Sequence, residues 1–178
     1  MFKIGDLVVY SSLGICKIAD ISEETYAGIT RKYYVLHPIE DDNLIIRNPV
    51  DNDKVLMVGI IDRDEAKEML ESFNRPGIGW IEKANERTKM YNDIVMTGDR
   101  KGIAGIVNTL MCRKYEYEMN DKKLSEPDRR LLLHVQDILY KELAISLDTT
   151  FEKISKQVEK RIKKKMSDLF LGDIVNIN

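Results

Sequence analysis

The chain has 178 residues, of which 43% are hydrophobic and 33% charged, with a formal net charge of −2. That balance belongs to a folded globular protein and excludes a disordered or low-complexity chain. The charge is uneven: residues 1–75 carry 9 Lys+Arg against 14 Asp+Glu and the remainder 19 against 16, a split that suits two surfaces with different partners, the basic one for nucleic acid.

The first half reads as short strands. Asp6–Tyr10 is β-rich after Gly5, and Gly14 supplies a turn into Ile15–Ile21, whose alternation puts Ile15, Lys17, Ala19 and Ile21 on one face and Cys16, Ile18 and Asp20 on the other. Thr30–Leu36, Asn43–Arg47 and Lys54–Met57 complete five strands, with Asp41-Asp42-Asn43 and Asn48-Pro49 as punctuation. Five strands in so short a span predict a small bent barrel of SH3 or Tudor type over residues 1–62.

Residues 63–79 are expected to form a short helix and a linker. Ala66, Met69, Leu70 and Phe73 recur at helical spacing over Asp64–Phe73, and Asn74-Arg75-Pro76-Gly77-Ile78-Gly79 then reads as a hinge, because Pro and Gly resist both helix and strand.

Residues 80–170 predict a four-helix domain. The first helix, Trp80–Thr97, carries Trp80, Ala84, Tyr91 and Val95 on one stripe; Gly98 ends it and Asp99 caps the next, which runs to about Lys114. Ser125-Glu126-Pro127-Asp128 is a strong helix start, with Ser at the cap and an acid at the third position. A fourth, more charged helix runs from Thr150 to about Leu169, and residues 171–178 read as a tail. The whole is α+β in two domains.

Several function classes lack their residues. His37 and His134 have no nearby cysteine and no histidine at i, i+4, so no zinc site is expected. Cys16 and Cys112 read as buried small side chains. Gly77-Ile78-Gly79 lacks the third glycine of a dinucleotide fingerprint, and no Gly-x-Ser-x-Gly elbow occurs. Glu23-Glu24 and Asp41-Asp42 read as solvated turn residues. No catalytic activity and no cofactor are expected. Met1–Asp6 turns polar too early for a signal peptide and no apolar run approaches a membrane span of ~18 residues, so the cytoplasm is the expected compartment.

Phe2–Tyr10, Gly14, Lys32–Leu36 and Ile46–Pro49 together resemble the RNA-polymerase-interacting domain of the bacterial CarD/CdnL family. Gly98-Asp99, Lys123–Leu132 and Leu139–Ala144 resemble the same family's helical domain, so the likeness spans about residues 1–165. The resemblance implies a transcription regulator that docks on the β subunit of RNA polymerase by strand addition and lies against promoter DNA at the upstream edge of the bubble. There a tryptophan wedged in the minor groove slows bubble collapse. Arg47 matches a family contact to the β subunit; Ile46 lies beside it, and Glu24 stands where the family carries a second arginine. Trp80 is the expected wedge, about one helical turn farther from Gly98-Asp99 than in one branch of the family, whose tryptophan sits where this chain has Ala84. Lys83, Arg87, Lys89 and Arg129 are the expected non-specific DNA contacts. The expected state is a monomer brought to the nucleoid by polymerase. The alternative reading is an RNA- or ribosome-associated adaptor without polymerase binding.

Overall fold

In a computed structural model the described residues are 1–10, 13–41 and 43–175, without the side chains of Tyr26 and residues 170–175. Asp42 of the acidic turn and residues 176–178 of the expected tail lie outside them. The chain divides into two compact units, residues 1–60 and 61–178.

The first unit holds five strands: β1 (Leu7–Tyr10), β2 (Ile15–Tyr26), β3 (Ile29–Pro38), β4 (Ile46–Pro49) and β5 (Met57–Gly59). They pair antiparallel in the order β4-β3-β2-β1-β5. The longest pair, β2 with β3, closes at Tyr26↔Ile29 on a two-residue turn. Ala27 and Gly28 both have positive φ, 50° and 78°, which is the backbone of a type I′ turn and matches the right-handed twist of the strands.

Strict alternation fails at one point. Ile18 faces Leu36 and Asp20 faces Val35, so Ala19 is an extra residue in β2. This bulge shifts the phase of the pleat, and Ile18 and Ile21, expected on opposite faces, both pack on the same core. That core is Val8, Tyr10, Cys16, Ile18, Tyr34 and Leu36, with Phe2 edge-to-face on Tyr34 at 6.0 Å. The sheet is a five-stranded antiparallel sheet with β4 and β5 at its two ends; among the described residues no ladder joins them, so the hydrogen-bonded closure of the expected Tudor-like barrel is not formed.

The second unit holds α1 (Arg63–Ser72), α2 (Ala84–Thr97), α3 (Arg100–Glu118), α4 (Glu126–Ser146) and α5 (Phe151–Val175). The caps follow from local chemistry. Asp62 and Glu65 form a reciprocal capping box on α1, Asp99 caps α3, Ser125 caps α4, and Gly98 ends α2 in the left-handed conformation at φ 69°. One core runs through Phe73, Tyr91, Ile106, Leu110, Leu139, Leu143, Ile154, Val158 and Ile162. Ala66, Met69 and Leu70 of α1 belong to it, so the expected short helix packs into the helical unit as a fifth helix among the described residues. Its entry is fixed by α4: Glu142 Oε1 accepts the Ile61 N–H at 3.0 Å, and the Ser146 hydroxyl donates to the Ile61 carbonyl at 2.7 Å. Arg100, paired to Glu142 at 2.8 Å, neutralises that buried carboxylate.

Candidate functional site

On the sheet, Arg47, Ile46 and Glu24 come together. Ile46 of β4 packs half-buried against the core while Arg47 beside it is exposed. Arg47 Nε donates to Glu24 Oε1 at 2.9 Å across β3, so the acid that replaces the expected second arginine is the partner of the first. Leu44 and Ile45, just before β4, are exposed, as is Ile39 at the end of β3. Among the described residues nothing pairs with the outer side of β4, so its free backbone groups lie next to an arginine and an apolar fringe.

The helical unit centres on Trp80, which precedes α2 rather than lying on it. The reason is side-chain capture of backbone carbonyls. The Tyr91 hydroxyl donates to Gly79 O at 3.2 Å, and Arg87 Nη1 donates to the carbonyls of Ile81 and Glu82, which keeps this stretch from winding into a helix. The segment before it is held just as closely. Asn108 donates to Arg75 O at 2.8 Å, Thr109 to Ile78 O at 2.6 Å, and Lys165 to Phe73 O, Arg75 O and Asn108. Gly77 lies so near α3 that a Cβ there would sit 2.6 Å from Gly105 O and 2.9 Å from Thr109 N. The expected hinge is therefore a fixed, non-helical strap.

Trp80 is half-buried and two cations lie over its ring: the guanidinium carbon of Arg87 is 3.9 Å from the ring centroid and that of Arg113 4.9 Å. A groove of about 560 Å³ runs beside it, lined by Ile78, Thr109, Cys112, Arg113, Lys165 and Leu169 among others. Arg87 is only 4% exposed. It grips both oxygens of Asp128, Nε at 3.0 Å and Nη2 at 2.6 Å, and Asp128 is itself 2% exposed and accepts from the Ser125 hydroxyl at 2.5 Å. Hydrogen bonding to the Asp128 carboxylate raises the guanidinium further above its ordinary pKa.

The other expected cations are on the surface. Lys83 pairs with Glu86 at 2.9 Å, Lys89 is exposed, and Arg129 shares Glu126 with Arg130. The two arginines hold the Glu126 carboxyl down to about 2. The basic residues of 160–165 lie inside α5: Arg161 pairs with Glu71 at 2.6 Å, Lys163 with Glu159, and Ile162 is buried. Tyr115 of α3 donates to Glu159 at 3.1 Å. Burial, and then the neighbouring Glu159 carboxylate, push its phenol up. Cys16 is buried, its thiol pushed up to about 11 by desolvation, while Cys112 is half-buried.

Arg113 and Asp128 are the site residues that sequence reading missed. Asp128 carried a signal, an acid at the third position of a capped helix, but that pattern speaks of its own helix and not of an arginine 41 positions away. Arg113 carried none, since only the fold brings it to the tryptophan. Among the described residues no group of three or more His, Cys, Asp or Glu is placed to hold a metal, and no helix is long and apolar enough to cross a membrane.

Residues 2–61 match the CarD-like/TRCF RID domain, and residues 68–159 match the CarD C-terminal domain. A protein of Bacillus subtilis (strain 168) that bears the name "Putative transcription factor YdeB" is 26% identical over 157 residues, which is 86% of this chain and 97% of that protein. The two domain matches, in order and falling on the sheet unit and the helical unit in turn, mean that the chain belongs to the CarD family.

Proposed function

We propose that this chain is a transcription regulator that binds the β subunit of RNA polymerase through the β4 edge of its sheet and stabilises the open promoter complex through its helical unit. Both halves of the CarD architecture in one chain carry this reading, and with it a transcription-related role. The free side of β4 has the requirements of strand addition: unpaired backbone donors and acceptors, with Arg47, Ile46 and Glu24 to select the partner. In the helical unit the Trp80 ring meets the minor groove at the upstream edge of the bubble. Partly separated strands there lower the usual unstacking cost of a few kcal/mol per step. Lys83, Lys89 and Arg129 contact phosphates without reading bases.

Glutamates already pair with Lys83 and Arg129, so free duplex is held weakly and recruitment comes from polymerase. Promoter choice is then the polymerase's own. The protein acts without catalysis, in the cytoplasm and as a monomer.

The direct test of the docking half is pull-down of a polymerase β fragment by the full chain. Wild type should retain the fragment and Arg47→Glu should lose it. Retention by Arg47→Glu, or enrichment of ribosomal RNA in place of polymerase, would overturn the reading.

A further inference from the structure

Resemblance assigns Arg87 to the DNA backbone, but its surroundings point elsewhere. A phosphate-binding arginine keeps its fork free. Here Nε and Nη2 are spent on the two Asp128 oxygens and Nη1 on the Ile81 and Glu82 carbonyls. The pair is almost fully enclosed, with the two residues 4% and 2% exposed. Moving Arg87 out to a phosphate would strand a buried carboxylate, the costly way to break such a pair. Four of its five N–H groups are used in this way, and the guanidinium carbon lies over the Trp80 ring, 3.9 Å from the centroid.

We propose that Arg87 is a positioning residue: with Asp128 it forms an internal clamp that fixes the Trp80 indole before any partner arrives. The clamp deepens the reading in which Trp80 meets DNA. Three elements converge in it. The α4 cap supplies Asp128 and Ser125, α2 supplies Arg87 and Tyr91, and the strap supplies carbonyls on both sides of Trp80, at Gly79 and at Ile81. Fixing the ring removes the ordering cost that a mobile tryptophan would meet on insertion. Arg113, with its guanidinium paired to Glu116 and about a third of the side chain exposed, is the second cation on the ring and the one free to move when a partner approaches.

The test exploits the single tryptophan, whose emission reports this site alone. Arg87→Lys keeps the charge but loses the planar fork and the stack. In full-length protein, Arg87→Lys and Asp128→Asn should red-shift the Trp80 emission and raise its quenching by acrylamide several-fold, with unchanged far-ultraviolet circular dichroism. Both should shorten the open-complex lifetime toward that of Trp80→Ala and leave the salt slope of promoter binding unaltered. A phosphate contact gives the opposite pattern: Arg87→Lys behaves as wild type in emission and lifetime, and Arg87→Gln lowers the salt slope by about 1. That pattern overturns the clamp. Should Arg87→Lys not fold, Asp128→Asn supplies the same comparison. Should Trp80→Ala leave the lifetime unchanged, the DNA reading of Trp80 fails, and the fluorescence of the two variants alone upholds or overturns the clamp.

Discussion

Asp128 shows what a single position can hide. In the sequence it completes a helix start, and the structure keeps that role while adding a second, as the carboxylate paired with the buried Arg87 guanidinium. Removing one member of such a pair leaves the other charge buried and alone, so Asp128→Ala should lower unfolding free energy by about 3–5 kcal/mol. Denaturant titration checks this, and a loss below ~1 kcal/mol would mean that water replaces the carboxylate. The buried phenols give a pH dependence of defined sign. Tyr140 is 1% exposed and burial pushes its pKa from 10.0 up to about 12. The fold thus favours the protonated phenol. The stability that follows is complete below pH 10 and is lost as pH rises through about 12. An absorbance titration of tyrosinate should show several phenols ionising late, Tyr115 and Tyr140 among them, and Tyr140→Phe should remove one tyrosinate from that late step. The helix start at Ser125 was legible in the sequence because it needs only nearby residues; Arg87's partner was not, because it needs the fold.

At the level of elements, the caps were readable and the irregular segments were not. Ser125, Asp99 and Gly98 act within a few residues of themselves, and each helix end they announce is present. In the strap before α2, residues 74–79 were read as neither helix nor strand and are so, while residues 80–83 were read as helix and are not; and irregular backbone is not mobile backbone. Its carbonyls are taken by Arg87 and Tyr91 of α2 and by Asn108, Thr109 and Lys165, which are remote in sequence. Gly77→Ala should therefore cost about 1–3 kcal/mol by overpacking the strap against α3. A midpoint equal to wild type in thermal unfolding would show that the strap can lift away. The β2–β3 turn offers a change of opposite sign. Ala27 holds φ 50°, a conformation that costs a side chain with Cβ about 1–2 kcal/mol and that asparagine tolerates. Ala27→Asn should raise stability by up to about 1 kcal/mol, read in the same unfolding experiment. The bulge at Ala19 escaped notice because one added residue leaves composition and spacing almost unchanged while it reverses the phase of everything after it.

Taken as a whole, the molecule joins an antiparallel sheet to five helices, and the family match runs across both. The division of charge seen in the sequence survives in muted form. Many of the cations in the helical unit are bound to its own carboxylates: Arg87 to Asp128, Arg100 to Glu142, Arg161 to Glu71, Arg129 and Arg130 to Glu126. On the proposed reading such a chain would grip DNA only when polymerase holds it in place, which joins the proposed polymerase contact and the tryptophan in one account. The measurement that reaches both is the lifetime of heparin-challenged open complexes formed by the homologous polymerase. The account predicts that wild-type protein lengthens that lifetime, that Trp80→Ala binds polymerase but does not lengthen it, and that Arg47→Glu fails at binding. A lifetime that is the same with and without the wild-type protein would contradict it.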